Sequence, residues 1–439
     1  QGMCFAYIWY EYYSRVIFMP FFRRGNWAVV GMYVLILFFF TRVMGGYKVG
    51  YLRISDICLS QLLAILASNV IGYLQICMIG RDYMPIGPII MITWAEILFV
   101  VPWAYTVRWL FVRLYPPRKM LIIYGKYSPD DLIKKVNSRR DKYNICGAES
   151  IAIGYEELTK RIPDYEAVVL CDLPAHTRNK ILKFCFEKSI RIYVTPKLSD
   201  IIISGSESIH LFDTPLYLCR NNGFSMDQRI FKRAMDIIGS LIGIIILSPF
   251  MLLTAVAIKA YDRGPVFFKQ ARLTQDGREF GIIKFRSMCI ESEKNGAQLA
   301  KKHDDRITPV GRLIRKIHFD EIPQLFNILK GDMSIVGPRP ERQEIASQYE
   351  EIIPEFRYRL KVKAGLTGYA QVYGKYNTTP YDKLKLDMLY IENYSFWLDI
   401  KILLMTFKVI LQKENSEGID ENQITALKRE IESKTTTKY

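Results

Sequence analysis

Three apolar stretches, Trp27 to Val43, Ile54 to Ile79 and Ile86 to Val112, are each close to the length a helix needs to cross a bilayer. They commit the first 115 residues to a bundle of membrane helices. The chain opens at Gln1 inside another aromatic, apolar run, which reads as the end of a first membrane helix whose start is missing. Basic residues are denser at Arg42, Lys48 and Arg53, and again at Arg113, Arg118 and Lys119, than at Arg81. By the positive-inside rule those loops, and everything after residue 115, face the cytoplasm. A fourth apolar segment runs from Ile237 to Ile258, broken by Ser248-Pro249 and flanked by Lys232, Arg233, Lys259 and Arg263. Proline removes a backbone bond and clashes with the preceding turn, so this helix is expected to kink. Positive charge on both flanks favours a re-entrant hairpin, but residue physics alone leaves a kinked spanning helix equally open.

Between residues 116 and 222, β-branched runs (MLIIYG, AVVLCD, IRIYVTP) alternate with charged helical ones (DDLIKKVNSRR, HTRNKILKFCFEKS). That alternation predicts a small α/β domain with a mostly parallel sheet. Its first turn, YGKYSPDD, offers only Gly125 where dinucleotide binding asks for GxGxxG, so a spacer or regulatory role is expected. The net charge is +16, most of it in residues 223–413. No nucleic-acid-binding motif accompanies it, and anionic lipid with a phosphorylated substrate is the better match. Eight cysteines without a CxxC pair and four histidines without an HExxH pair argue for reduced thiols and against a zinc site. From about residue 414 the chain is a polar, charged tail.

The stretch from Arg312 to Glu341, RLIRKIHFDEIPQLFNILKGDMSIVGPRPE, sets two adjacent carboxylates among fixed cations. Pro323 suits only a first helical turn, so a second helix is expected to begin near Asp320 and to stop at Gly331. Both carboxylates would then lie at its positive end, and Asp320 would stay ionised. Such a group can attack phosphorus or hold a divalent cation. Two prolines around Arg339 restrict its backbone and suit a bidentate phosphate clamp. Upstream, GPVFFKQARLTQDGREFGIIKFRSM predicts a strand pair that carries Lys269, Arg272, Lys284 and Arg286. Downstream, KLKLDMLYIENYSFWLDIKILLMTFKVIL is amphipathic enough to lie on a membrane surface.

Taken in order, KRxxD at 232–236, the Ser248-Pro249 break, GPVFFKQ at 264–270, KFRSM at 284–288, DxRIT at 304–308, DEIPQ at 320–324, GDMSIVGPRPE at 331–341, VKAGLTGYAQV at 362–372 and Asp387, Tyr390, Ser395 and Asp399 resemble the monotopic bacterial sugar transferases. These are the polyprenyl-phosphate phosphoglycosyl transferases, and the likeness covers roughly residues 229–412. The whole layout is similar to their long form, which primes capsule, exopolysaccharide or O-antigen synthesis. The resemblance implies a membrane protein with a transmembrane bundle over 1–115, a Rossmann-like domain over 116–222, and an α+β transferase domain over 223–413. A re-entrant helix at 234–259, broken at Ser248 and Pro249, would anchor the last, with Lys232, Arg233 and Asp236 at the membrane interface. It further implies transfer of sugar 1-phosphate from a nucleoside-diphosphate sugar, with UDP-glucose or UDP-galactose suiting the long form, to undecaprenyl phosphate. Asp320 would form the covalent phosphosugar intermediate and Glu321 would ligate Mg2+. Lys284, Arg286, Arg315, Arg339, Gln324 and Arg272 would contact substrate or phosphate. The setting would be the bacterial inner membrane, with the active site towards the cytoplasm and no nucleic acid involved. A homodimer, or association with other polysaccharide-assembly enzymes, is compatible with this layout.

Two positions depart from the family pattern: Thr274, where Gly is usual, and His318, where a small hydroxyl residue is usual. A membrane-bound nucleotide-sugar dehydratase would need GxxGxxG and YxxxK in a larger second Rossmann domain, and neither is present. A non-catalytic scaffold would be favoured by an altered dyad, whereas Asp320 and Glu321 are both in place.

Overall fold

The apolar stretches become helices α1 (Arg23–Met44), α2 (Ile54–Gly80) and α3 (Gly87–Leu114), each long and apolar enough to cross a membrane. The computed structural model describes residues 1–17, 21, 23–125, 128–137, 139, 142–219, 223–289, 306–374 and 378–411. Asp304 of the DxRIT motif and the tail beyond residue 411 lie outside them. The chain divides into two units, Gln1–Pro196 and Lys197–Tyr439.

In the first unit, α2 packs against both α1 and α3. Their outward residues, among them Leu35, Val70, Leu74, Met91, Leu98 and Phe99, are exposed and apolar, as a lipid-facing surface requires. Inside the bundle, Asn69 joins all three helices: its amide accepts from the Tyr33 hydroxyl and donates to Thr93 Oγ1 at 2.9 Å and to Glu96 Oε2 at 3.0 Å. After α3 the chain forms an α/β layer: β1 (Arg118–Tyr124), α4 (Asp130–Asn137), β2 (Tyr143–Ser150), α5 (Tyr155–Arg161), β3 (Ala167–Cys171), α6 (Ala175–Glu187) and β4 (Arg191–Val194). The four strands are parallel, in the order β2-β1-β3-β4. Central strands β1 and β3 are apolar on both faces, Leu121 and Ile123 to one side and Met120 and Ile122 to the other, because helices and loops cover both.

The second unit begins with α7 (Leu198–Ser204) and the hairpin of β5 (Glu207–Leu211) and β6 (Thr214–Leu218). Next comes α8 (Met226–Asp262), which Ser225 caps in a capping box with Gln228. It is the fourth helix long and apolar enough for a membrane. The expected break at Ser248 and Pro249 is not a break in the helix, which runs continuously through Pro249. Proline cannot donate to the Ile245 carbonyl one turn earlier, and the Ser248 hydroxyl donates to it instead, at 2.9 Å. The Ser-Pro pair thus satisfies an acceptor that lipid could not.

The expected strand pair follows as the antiparallel hairpin β7 (Phe267–Leu273) and β8 (Glu279–Phe285). Then come α9 (Pro309–Lys316), α10 (Gln324–Lys330), β9 (Ser334–Val336), α11 (Gln343–Ile352), β10 (Gly365–Thr367), α12 (Tyr369–Tyr373), α13 (Pro380–Glu392) and α14 (Phe396–Ile410). Strands β9 and β10 pair in parallel. Phe280, Ile282, Ile328, Met333, Val336, Phe356, Leu384, Met388 and Ile402 form the core. The run expected on a membrane surface is therefore two helices, and its Leu384, Met388 and Tyr390 face protein, because tyrosine and leucine at helical spacing serve a core as well as an interface. Phe396, Trp397, Phe407 and Leu411 stay exposed.

Candidate active site

The site is built on one turn between two helices. Thr308 caps α9 by accepting from the Gly311 N–H at 2.9 Å, and Pro309 opens it. A Cβ at Gly311 would strike the Ser287 carbonyl, so only glycine lets α9 approach the end of β8 this closely. One turn later, Arg315 Nε donates to Ser287 Oγ at 2.8 Å. The helix ends at Lys316, His318 adopts a left-handed backbone with φ 55°, and Asp320 and Glu321 fall on the 3-10 turn Phe319–Glu321. The carboxylates are thus not in the first turn of the second helix. Pro323 occupies its N-cap, and helical bonding begins only at Gln324 and stops at Gly331, φ 97°.

Glu321 is the fixed point of the cluster. Its Oε1 accepts from Lys284 Nζ at 2.6 Å and from Arg339 Nη2 at 3.0 Å. Burial alone would favour the neutral acid, but Arg339 and Lys284 outweigh it and hold the carboxyl well below the ordinary range. Asp320 behaves in the opposite way. Burial and the negative charge of Glu321 raise its pKa, and Lys284, Arg315 and His318 only partly offset them. The expectation of an easily ionised Asp320 is corrected accordingly: a turn within a desolvated site replaces the assumed helix terminus. Burial also lowers the pKa of Lys284 more than its partner Glu321 raises it.

Lys284, Arg315, Asp320, Glu321 and Arg339 therefore converge, as motif reading expected. Arg286 does not join them: its guanidinium pairs with Asp262 at the end of α8, and a Cβ at Gly264 would collide with it. Arg272 donates to the Pro340 carbonyl at 3.2 Å and to Gln270 Oε1 at 2.7 Å, so it supports the Pro-Arg-Pro turn rather than facing outward. Gln324 is buried at the start of α10. The three residues expected at the membrane interface are turned into the protein, each drawn by a partner distant in sequence. Lys232 meets Asp399 at 2.7 Å, Asp236 accepts from Ser334 Oγ and Ile335 N at 2.9 Å each, and Arg233 donates to the Ile328 and Leu329 carbonyls that end α10. Sequence reading missed Arg359. It is buried, pairs with Asp387 at 2.8 Å and donates to the Arg339 carbonyl at 3.0 Å. The Asp387 of the motif was the available signal.

Known proteins carry the same segment. Residues 227–413 match the family described as bacterial sugar transferase. A UDP-glucose:undecaprenyl-phosphate glucose-1-phosphate transferase of Caulobacter vibrioides is 40% identical over 191 residues, 42% of this chain and 71% of that protein. The chain belongs to the bacterial sugar transferase family. Within this family it is also 41% identical over 238 residues, 53% of the chain and 55% of the relative, to a UDP-N-acetylgalactosamine-undecaprenyl-phosphate N-acetylgalactosaminephosphotransferase of Aeromonas hydrophila. A UDP-glucose:undecaprenyl-phosphate glucose-1-phosphate transferase of Klebsiella pneumoniae is 41% identical over 217 residues, 48% of the chain and 45% of the relative. The chain spans about half the length of these last two relatives. The dyad, Lys284 and Arg339 all lie inside the segment that matches the family.

Among the described residues, no three His, Cys, Asp or Glu side chains group as metal ligands. Both bonds to Glu321 fall on Oε1, and Asp320 stands beside it. An all-oxygen pair of this kind suits a magnesium ion, which usually takes one or two carboxylates and completes its shell from water and substrate phosphates.

Proposed function

We propose that this protein transfers sugar 1-phosphate from a UDP-sugar to undecaprenyl phosphate in two steps through Asp320. The observation that carries the reading is the contrast within the dyad: Glu321 is held as an anion by Lys284 and Arg339, while Asp320 beside it has no hydrogen-bond partner among the described residues and is more basic than an ordinary aspartate. A more basic carboxylate is a better nucleophile once ionised. Asp320 attacks the phosphorus that bears the sugar, the bond to the UMP oxygen breaks, and UMP leaves. A phosphate oxygen of undecaprenyl phosphate then attacks the aspartyl phosphate, which forms the lipid diphosphate sugar and returns Asp320 as a carboxylate. Arg315, Lys284 and Arg339 offset charge on the reacting phosphates. Glu321, with Asp320 adjacent, would hold Mg2+, which supplies charge neutralisation at the diphosphate.

The sugar is a hexose in this reading, glucose or galactose first, although one relative is named for N-acetylgalactosamine. Helix α8 is re-entrant in this reading, and the site faces the cytoplasm at the inner membrane. Residues near both ends of α8 support this: Lys232 and Asp262 each pair with a residue of the same unit, Asp399 and Arg286.

The test is UMP release by the purified chain, with Mg2+ present, from a panel of UDP-sugars, with and without undecaprenyl phosphate, alongside Asp320→Asn. One donor is expected to give a burst of UMP, equal to the protein present, without acceptor, and turnover with it. Asp320→Asn should give neither. Silence with every donor, or UMP that appears only when acceptor is present, would sink the two-step reading.

A further inference from the structure

The Pro338-Arg339-Pro340 turn is held from behind by two guanidinium groups. Arg359 donates to the Arg339 carbonyl at 3.0 Å and Arg272 to the Pro340 carbonyl at 3.2 Å. Arg359 is itself fixed by Asp387 of α13 at 2.8 Å, and Asp387 is fully enclosed. Residues four apart on a helix share a face. The contact that brings Asp387 to Arg359 therefore brings Lys383, one turn earlier on α13, towards the same turn.

Lys383 differs from its neighbour. Lys385 pairs with Asp382 at 3.7 Å and stands over the Tyr381 ring at 4.3 Å. Lys383 is half-buried and makes no hydrogen bond or ion pair among the described residues. The charged groups around it come from three elements: Glu341, Arg359 and Arg339 from the turn and its support, and Asp387 from its own helix. Burial leads in lowering its pKa, Glu341 opposes that, and Arg359 and Arg339 add to it. Both nearby carboxylates are shared with Arg359, at 3.6 Å from Glu341 and 2.8 Å from Asp387. A half-buried ammonium ion one helical turn from the Arg359–Asp387 pair that backs the Arg339 turn, within electrostatic reach of Arg339 and with no carboxylate of its own, is a place for an anion.

We infer that Lys383 is a phosphate-binding residue of this site, which takes a substrate phosphate together with Arg339. The inference rests on the transfer reading above for the identity of its ligands. Two substrates carry that chemistry, the diphosphate of the donor and the monoester of the lipid acceptor.

The experiment measures equilibrium binding of UDP and of undecaprenyl phosphate to the full chain in nanodiscs, for the wild type, Lys383→Met and Lys383→Arg. Lys383→Met is expected to weaken one probe about tenfold or more, and Lys383→Arg to stay within about threefold of the wild type. Loss confined to UDP assigns the residue to the donor, and loss confined to undecaprenyl phosphate assigns it to the acceptor. Wild-type binding of both probes by Lys383→Met overturns the inference. So does equal loss in Lys383→Arg, which would mean that the position needs a shape and not a charge. Binding requires no turnover, so a wild type that binds UDP but never releases UMP from a donor defeats the transfer reading and leaves this measurement decisive.

Discussion

Arg339 Nη2 stands 3.0 Å from Glu321 Oε1, across eighteen residues of sequence and from a different element. The contact gives the two adjacent carboxylates different electrostatics. Glu321 has its charge neutralised by Arg339 and Lys284, whereas Asp320 has the negative Glu321 as its neighbour. The folded protein therefore stabilises one anion and disfavours the other.

Stability should respond with opposite signs at the two positions. A carboxyl whose pKa is raised on folding stabilises the fold only while protonated, and that contribution is lost as pH rises through the raised value. Asp320 is such a group, so Asp320→Asn should unfold a few degrees above the wild type at neutral pH. The gain should vanish in acid, where Asp320 is protonated. Glu321 has a depressed pKa, and its contribution is present above the ordinary glutamate range and lost as pH falls towards the depressed value. Glu321→Gln should lower the melting temperature at neutral pH. Thermal unfolding of both variants between neutral and mildly acidic pH checks this. A drop for Asp320→Asn at neutral pH would contradict the account.

The sequence made some of this legible and hid the rest for physical reasons. Helices α1 to α3 were readable to within a few residues because a bilayer demands an unbroken apolar length, which local composition records. The convergence of Lys284, Arg315 and Arg339 on the dyad was readable from motifs. What was hidden depends on partners far along the chain. The basic residues flanking the apolar segment looked like lipid anchors, yet Lys232 is bound by Asp399, 167 residues away. Arg286 looked like a phosphate ligand until Asp262 claimed it. Strand β2, Tyr143–Ser150, carries only one β-branched residue, Ile145, and its pairing with the apolar β1 makes it a strand. The dyad turn was misread as a helix start because a proline three residues after Asp320 fits an N-terminus and an N-cap equally well from sequence.

The buried pair Lys232–Asp399 should behave as a unit. Asp399 also accepts from Tyr390 at 2.7 Å, and both ions are almost fully enclosed. Removing one partner leaves the other charge buried, which typically costs about 3–5 kcal/mol, whereas removing both leaves no bare charge. Lys232→Met and Asp399→Asn should each strongly lower resistance to chemical unfolding in detergent, and the double variant should recover much of the loss. Additive losses would show that the ion pair is not what joins α8 to α14.

Helix α8 supplies the last test, because its ends and its middle make different demands. At the N-terminal end, Lys232, Arg233 and Asp236 bind α14, α10 and β9, and at the C-terminal end Asp262 binds Arg286, while Ile258 packs with Phe285 and Ile314. Between them, Ile238, Leu241, Ile242, Ile245, Ile246, Leu252 and Leu253 are exposed. At about 1.5 Å per residue, a straight helix of this length would far exceed a hydrocarbon core of about 30 Å. One body cannot hold both ends from opposite sides of a bilayer, so the apolar middle should enter and leave through the same face. In a background with the eight cysteines replaced, Met226→Cys and Tyr261→Cys should both react with an impermeant maleimide only after the cell membrane is opened. Labelling of one site in intact cells would make α8 a spanning helix. Pro249→Ala restores the backbone donor that Ser248 replaces at the Ile245 carbonyl. If the Ser-Pro pair sets the re-entrant path, that substitution should shift part of the population towards the spanning pattern while the labelling of Met226→Cys stays unchanged.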